Sequence, residues 1–320
     1  MIHPPSETSD LQRLLGPVLA SVSRSFYLSI KLLPSPIQSA VSLAYLFART
    51  SDTVADAPVA TPQSSSALLA AYSHDITNGT LRDSTRQALL ETPTFHPGER
   101  ELLSYAALSF DLFELLPSEQ QSLIKSVLTK IISGQIHDRE HFPNPANLQF
   151  LKHEGELEEY TYLVAGCVGE FWTEIVHLLP DQNPPSRNRL HQARLFGQAL
   201  QLINIVRDVG ADLAIGRCYF PATELEAAGI PLNRDFIRHP RFAHIHRRWT
   251  HQARTWLAHA TRYVNETSHF RLRLAAWLPA ALGHKTLDLI ERHPTVPEHK
   301  LKVSRGCVYR EMLASFFRCL

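Results

Sequence analysis

The chain has 320 residues, of which 44% are hydrophobic and 20% charged, a composition typical of a folded globular protein. Lysine and arginine total 32 against 31 aspartate and glutamate residues, which gives a formal net charge of +1. A protein that binds nucleic acid through bulk charge carries a far larger positive excess, so the composition excludes that class of function.

The cysteines and the N-terminus predict a cytoplasmic protein. The four cysteines contain no CxxC pair and are expected to be reduced thiols. The first ten residues, MIHPPSETSD, lack the basic and apolar regions of a secretory signal peptide. No uninterrupted apolar run reaches the length of a membrane-spanning helix.

Proline clusters divide the chain into segments of helical length, in which apolar residues recur every three or four positions. Only 13 glycines and little alternation of β-branched residues argue against a β-rich fold. We expect one all-α domain at 16–320 after a mobile segment at 1–15, with a polar loop at 57–66. The predicted helices are 39–56, 99–116, 118–136, 154–179, 187–213, 242–267 and 273–292.

The first polar motif is SRSF at 23–26. The hydroxyl of Ser23 and the guanidinium of Arg24 suit a helix cap or a phosphate contact equally well, and Phe26 follows them. The residues alone leave both roles open.

A polar stripe is predicted on the helix at 39–56. Tyr45, Arg49, Asp52 and Asp56 recur at i, i+4, i+7 and i+11. This spacing places them within roughly 60° of arc on one face of an otherwise apolar helix. Two carboxylates one turn apart are suited to a hard divalent cation such as Mg²⁺. The alternative is a solvated face with an Arg49–Asp52 ion pair.

The segment ELEEYTYLVAGCVGE at 156–170 places glycines inside a predicted helix. Gly166 and Gly169 each cost about 1 kcal/mol relative to alanine, which a close helix–helix contact or a bound ligand would justify. Tyr160 in this segment lies two helical turns before Cys167, and one interpretation of it is a core tyrosine hydrogen-bonded to a neighbour.

A second polar stripe is predicted on the helix at 187–213. Gln201, Asn204, Asp208 and Asp212 lie within roughly 80° of arc on a helix that is otherwise apolar. Burying such groups without partners costs about 1–3 kcal/mol each. We therefore expect the two acidic stripes to face each other across a wet cavity, where Mg²⁺ holds a diphosphate.

Three later segments carry cationic side chains. Arg217 and Tyr219 in GRCYFP either fold over an anion or form an ordinary ion pair at a helix end. The arginine-rich segment 234–254 predicts an amphipathic helix with a basic solvent side and, as an added role, contact with a membrane surface. The basic residues at 271–285 flank an apolar stretch, which suits either a core helix with solvated ends or a contact for a phosphate group.

Together these motifs resemble the squalene/phytoene synthase family of head-to-head prenyl transferases. The matching stretches are SRSF (23–26), YLFARTSDTVAD (45–56), YTYLVAG (160–166) and QLINIVRDVGAD (201–212) with GRCYFP (216–221). The resemblance implies an all-α isoprenoid-synthase bundle around a central cavity. It also implies Mg²⁺-dependent condensation of two prenyl diphosphates through a cyclopropyl diphosphate intermediate.

Carried over position by position, the resemblance implies a role for each matching residue. Asp52, Asp56, Asp208 and Asp212 match the two aspartate motifs and are expected to bind the metal, and Tyr160 matches a catalytic tyrosine. The substrate-binding residues that it implies are Ser23, Arg24, Phe26, Tyr45, Arg49, Gln201, Asn204, Arg207, Arg217 and Tyr219.

Farnesyl diphosphate is the expected substrate, with geranylgeranyl diphosphate as the runner-up. The product is then squalene if NADPH reduces the intermediate, dehydrosqualene if it does not, or phytoene from the longer substrate. The rival hypotheses are a class I terpene cyclase that ionises one diphosphate and a catalytically silent relative that acts in assembly. Tyr160 with the VAG that follows it and the DxxxD spacing of both motifs favour the condensing enzyme over the cyclase, and the presence of all four acids argues against the silent relative. The oligomeric state is not predicted.

Overall fold

The computed structural model describes residues 7–23, 26–57, 62–180, 182–267 and 269–293, with the positions 296, 301, 303, 304, 306, 310 and 311. Helices dominate this part of the chain, which confirms the predicted all-α fold. The chain packs as two compact units, residues 1–140 with 174–183 and residues 141–173 with 184–320. The predicted mobile segment and the single domain after it stay predictions.

The first unit is built from helices α1 to α9, the last of which ends one residue beyond it. A π-helical turn, Leu14–Val18, separates α1 from α2. The helices are α1 (Glu7–Arg13), α2 (Leu19–Ser23), α3 (Phe26–Lys31), α4 (Ser35–Ala55), α5 (Pro62–Asn78), α6 (Asp83–Glu91), α7 (Pro97–Ser104), α8 (Ala106–Glu114) and α9 (Ser118–His141).

Helix α4 is the central helix of the first unit. A proline in its first turn suits a position where the backbone N–H has no intrahelical partner. The helix packs against α5, α7 and α8. The buried ring of Phe47 lies 5.1 to 6.3 Å, centroid to centroid, from the rings of Tyr72, Phe110 and Phe113. This aromatic cluster anchors the middle of α4 in the core.

The second unit contains the remaining helices and two short parallel strands. It includes a π-helical turn, Tyr162–Gly166, between α10 and α11, and a 3₁₀ turn, Phe236–Arg238. The elements are β1 (Gln149–Phe150), α10 (Glu154–Thr161), α11 (Cys167–His177), α12 (Arg187–Arg207), α13 (Val209–Ala214), β2 (Arg217–Cys218), α14 (Ala222–Ala227), α15 (Phe242–Asn265) and α16 (Phe270–Arg292). The last residues of α11 belong to the first unit.

Helix α12 forms the centre of the second unit and packs against α10, α15, α16 and the π-helical turn. Two glycines allow its close approach to the 165–169 segment. A Cβ on Gly169 would lie 2.0 Å from the carbonyl oxygen of Ala193, and one on Gly197 would lie 2.2 Å from that of Ala165. A close helix–helix contact therefore accounts for Gly169 inside the predicted helix.

The structure corrects several predicted boundaries. The predicted helix at 99–116 is interrupted at Tyr105, and the one at 187–213 is interrupted at Asp208. The polar loop predicted at 57–66 is wrong in its second half, because α5 begins at Pro62. Neither α5 nor α6 was among the predicted helices.

Candidate active site

From residue 40 onwards, the predicted stripe lies on the one face of α4 that is open to solvent. Between residues 40 and 57, the positions that are not fully buried are Tyr45, Ala48, Arg49, Asp52 and Asp56. Four of these five are the polar residues predicted from their spacing. From residue 40 onwards, α4 is therefore buried on every side except the one that carries the candidate ligands.

The SRSF motif contacts the start of this stripe. The ring of Phe26 stacks on Tyr45 with centroids 5.4 Å apart, and the Tyr45 hydroxyl donates to the carbonyl of Val22 at 3.1 Å. Ser23 is buried, and its hydroxyl donates to a backbone carbonyl of its own helix. Arg24 lies outside the described residues.

Arg49 links the stripe to a buried acid on α7. Its guanidinium pairs with Asp52 and, through Nη2, with Glu99 at 2.6 Å. Its Nε is buried and has no hydrogen-bond partner among the described residues, which leaves a donor for an anionic ligand. Sequence reasoning missed Glu99, because a contact between side chains 50 positions apart leaves no pattern in the sequence.

The two acids of the stripe influence each other. The dense protein around Asp52 and the neighbouring Asp56 carboxyl raise the pKa of Asp52 from its ordinary 3.8 to about 6, against the opposing effect of Arg49. The side chain of Asp52 still keeps 42% of its accessible surface. The structure thus presents a carboxyl that is costly to ionise and that solutes can reach.

The second stripe survives the interruption of its helix at Asp208. The backbone N–H of Asp208 donates to the carbonyl of Asn204, and that of Asp212 to the carbonyl of Asp208, both at 2.9 Å. Asp208 also accepts two hydrogen bonds of 2.7 Å from the guanidinium of Arg207. The side-chain amide of Asn204 lies 3.3 Å from that of Gln201. All four predicted stripe residues keep some solvent exposure.

Tyr160 lies against the GRCYFP segment. Its ring stacks on Tyr219 with centroids 4.8 Å apart, and the two hydroxyls are 3.4 Å apart. Arg217 Nη1 lies 3.5 Å from the Tyr219 hydroxyl. Asp212 lines one recess together with Arg217 and Tyr219. The second unit therefore gathers the candidate catalytic tyrosine, a cation and a motif acid.

The donor set of the two stripes fits a hard divalent cation. Carboxylate oxygens are the preferred ligands of Mg²⁺, and burial together with the neighbouring Asp56 carboxyl raises the pKa of Asp52, so a cation bound here would favour its ionised form. Among the described residues, no three His, Cys, Asp or Glu side chains are already assembled as a metal site. The assignment of Asp52, Asp56, Asp208 and Asp212 as metal ligands therefore stays a prediction.

Two arginines of α15 are paired with acids of the second unit. Arg248 contacts Glu224 at 2.7 Å, and Arg254 contacts Glu291 at 2.8 Å and Asp288 at 3.0 Å. These acids offset part of the charge of the predicted basic face, and the membrane contact stays a prediction. None of the helices in the described parts of the chain has both the length and the apolar character needed to cross a bilayer.

Comparison with known proteins adds an independent finding. A family model described as Squalene/phytoene synthase matches residues 19–307. The bifunctional lycopene cyclase/phytoene synthase of Colletotrichum graminicola is 31% identical over 71% of this chain, and the presqualene diphosphate synthase of Zymomonas mobilis is 28% identical over 68%. The chain spans 38% of the first relative and 62% of the second.

The fold is also similar to that of solved structures. A ligand complex of TcSQS superposes with a TM-score of 0.78 at 21% sequence identity, covering 96% of this chain and 86% of that one. At this level of identity the likeness supports the all-α fold.

Proposed function

We propose, because the chain belongs to the squalene/phytoene synthase family, that it joins two prenyl diphosphates head to head through a cyclopropyl diphosphate. Members of this family are prenyltransferases. The observation that carries the proposal is a polar stripe on each of two helices, within or beside which an arginine is paired with a motif acid. The pairs are Arg49 with Asp52 and Arg207 with Asp208.

Three arginines are proposed to hold the diphosphate groups. Arg49 has a buried Nε donor to spare, Arg207 borders the second motif, and Arg217 lies beside Tyr219. A guanidinium binds phosphate oxygens in a fixed bidentate geometry, which suits this task. The four motif acids Asp52, Asp56, Asp208 and Asp212 would hold Mg²⁺, which supplies charge neutralisation for the departing diphosphate.

Tyr160 is proposed to assist the removal of a proton when the cyclopropane ring closes. Its half-buried ring is fixed by stacking on Tyr219, while its hydroxyl lies at hydrogen-bond distance from the Tyr219 hydroxyl. A positioned hydroxyl of this kind can accept a proton and pass one on.

Farnesyl diphosphate is the proposed substrate. The names of the two relatives, phytoene synthase and presqualene diphosphate synthase, do not by themselves choose a chain length. Reduction by NADPH would require the basic residues at 271–285, of which Lys285 lies 3.4 Å from Glu311. That ion pair competes with a phosphate contact, so dehydrosqualene and squalene both stay in the proposal.

The test is a paired assay in which purified protein and Mg²⁺ are incubated with farnesyl or geranylgeranyl diphosphate, with and without NADPH. We expect a hydrocarbon of two joined units from farnesyl diphosphate. Exclusive turnover of geranylgeranyl diphosphate would contradict the chain length, and identical products with and without NADPH would exclude squalene. A cyclised single unit would identify a class I cyclase, and folded protein with no turnover would identify a silent relative.

A further inference from the structure

The segment that carries the second acid pair has little stability of its own. Helix α12 ends at Arg207, and the α13 helix that follows has only six residues before the chain enters β2. A helix this short is marginal without support from elsewhere in the fold. The position of Asp208 and Asp212 must therefore be set by contacts from other parts of the second unit.

His246 on α15 provides the contact at the start of this segment. Its Nε2 lies 2.8 Å from the carbonyl oxygen of Val206, two residues before Asp208. A carbonyl can only accept, so Nε2 carries the hydrogen. The ring is 5% exposed and lies near the rings of Phe220 and Phe242. Burial lowers the pKa of His246, which keeps the imidazole neutral and its donor fixed.

Arg234 provides the contact at the end of the segment. Its Nη1 donates to the carbonyl of Leu213 at 2.8 Å, and its Nη2 donates to the carbonyls of Pro145 at 3.1 Å and Ala146 at 3.2 Å. Leu213 directly follows Asp212. The planar guanidinium therefore joins the last turn of α13 to the loop before β1, a bridge that needs the fork of an arginine.

The turn after α13 fits closely against that same loop. Gly216 has a φ of +76°, and a Cβ on it would lie 2.7 Å from the carbonyl oxygen of Pro145 and 2.9 Å from that of Asn147. Its own carbonyl accepts a hydrogen bond of 3.0 Å from the N–H of Gln149. Arg217, the next residue, leaves this turn in a direction that the loop fixes.

We propose that Arg234 and His246 are positioning residues that hold the 206–213 segment at its two ends and so set the position of Asp208, Asp212 and Arg217. The inference rests on the proposed function, because it matters only if these residues bind a metal diphosphate. Neither positioning residue touches the substrate. Both act through backbone carbonyls on either side of the acid pair.

The test for Arg234 compares Arg234→Gln with Arg241→Gln. Arg241 is a matched control, since it is also exposed and also donates to a carbonyl at the end of a short helix, that of Ala228 at 2.8 Å. We expect similar small losses of melting temperature. Only Arg234→Gln should raise the KM for the prenyl diphosphate and lower the affinity for Mg²⁺ with pyrophosphate, as measured from the shift in melting temperature. We expect each change to be about 10- to 100-fold, while kcat per folded molecule changes less.

The test for His246 uses two substitutions of similar volume. His246→Gln places an amide donor where Nε2 lies, whereas His246→Met fills the space without a donor. We expect the glutamine variant to retain the wild-type KM and pyrophosphate affinity and the methionine variant to lose both in the same way as Arg234→Gln. A purely structural role would lower the folded fraction and leave the KM of the folded molecules unchanged.

The outcomes separate this inference from the proposed function. If the wild type binds Mg²⁺ with pyrophosphate and turns over substrate, but Arg234→Gln matches Arg241→Gln in KM, the positioning role is wrong and the proposed function stands. Equal KM values for His246→Gln and His246→Met would overturn the role of His246 in the same way. A folded wild type that neither binds pyrophosphate with Mg²⁺ nor turns over a prenyl diphosphate would overturn both.

Discussion

Arg49 and Arg207 each hold an acid that the proposed function assigns to a metal ion. A carboxylate in a partly desolvated position needs a cation nearby, and in the free protein these arginines fill that role. When a metal diphosphate binds, the same acids would gain metal contacts and the same arginines would gain phosphate contacts. The two ion pairs therefore offset part of the cost of ionising these acids before the substrate arrives.

Asp52 is expected to cost the free protein stability. Its pKa of about 6 means that at neutral pH the folded state holds an ionised carboxyl that its surroundings disfavour. Asp52→Asn should therefore raise the free energy of unfolding near pH 7.5 by up to about 1 kcal/mol, a modest gain because solvent screens a side chain with this exposure. The same substitution should remove the stabilisation by Mg²⁺ with pyrophosphate, measured as a shift in melting temperature.

The pH dependence follows from the direction of the shift. Between 3.8 and about 6 the folded state retains a proton on Asp52 that the unfolded state loses. The free energy of unfolding therefore falls as the pH rises through this window, and the whole penalty remains above it. The advantage of Asp52→Asn should disappear as the pH falls through 6 towards 3.8.

A contrasting acid in the same unit provides the control. Asp75 is buried and accepts hydrogen bonds from the backbone N–H and side chain of Arg82. Asp75→Asn should lower the free energy of unfolding by about 1–3 kcal/mol. If Asp52→Asn destabilised the protein near pH 7.5 as Asp75→Asn does, the claim that the ionised Asp52 carboxylate destabilises the folded protein would be wrong.

Tyr160→Phe removes a hydroxyl and keeps the ring that stacks on Tyr219. We expect turnover to fall about ten- to a thousandfold, with little change in stability, because the stacking is preserved. Tyr162→Phe is the matched control, since the Tyr162 hydroxyl is bonded to Glu170 at 3.0 Å and lies outside the proposed chemistry. Steady-state rates per folded molecule distinguish the two. If Tyr160→Phe kept normal turnover but lost several kcal/mol in the free energy of unfolding, Tyr160 would be a core residue without a catalytic role.

At the scale of elements, the contact between α11 and α12 depends on the absence of a side chain. Gly169→Ala places a methyl group 2.0 Å from the Ala193 carbonyl oxygen, so the helices must separate. We expect a loss of about 1–3 kcal/mol or more in the free energy of unfolding, measured by denaturant titration.

Gly16→Ala is the control for that substitution. Apart from its chain neighbours and the adjacent backbone of its own helix, no atom of the described residues lies within 4 Å of the position of its Cβ, so alanine should cost nothing there or stabilise by about 1 kcal/mol or less. Equal effects at the two positions would mean that the close approach of the helices does not limit stability.

Elements with strong periodicity could be predicted from the sequence, and their interruptions could not. The apolar spacing predicted α4, α9, α15 and α16, with boundary errors of a few residues. Helix α5 carries the same signal in Leu69, Tyr72 and Ile76, which are all buried, but its serine-rich start favoured a loop. The interruption at Asp208 depends on tertiary contacts of the segment around it.

Part of the candidate site could likewise be predicted from the sequence, and part could not. Residues that share one helix face, such as Tyr45, Arg49 and Asp52, could be predicted because helical geometry fixes their neighbourhood. Contacts between distant segments, such as Arg49 with Glu99 or Arg234 with Leu213, could not be predicted, because nothing in the spacing encodes them.

At the scale of the whole molecule, the proposed function requires both acid pairs. Asp52→Ala with Asp56→Ala changes the first unit, and Asp208→Ala with Asp212→Ala changes the second. Each double substitution should abolish turnover while melting stays cooperative, and chelation of Mg²⁺ by EDTA should have the same effect on the wild type. Turnover near the wild-type rate in either variant at saturating Mg²⁺ would show that this pair is dispensable.

The central claim is that two prenyl units are joined in one product. The most direct measurement incubates the protein with Mg²⁺ and an equimolar mixture of unlabelled and fully deuterated farnesyl diphosphate, followed by mass spectrometry of the product. We expect a mixed product that contains one unlabelled and one deuterated unit, alongside the two products of uniform label. Products that each contain a single farnesyl unit, with no mixed species, would contradict it.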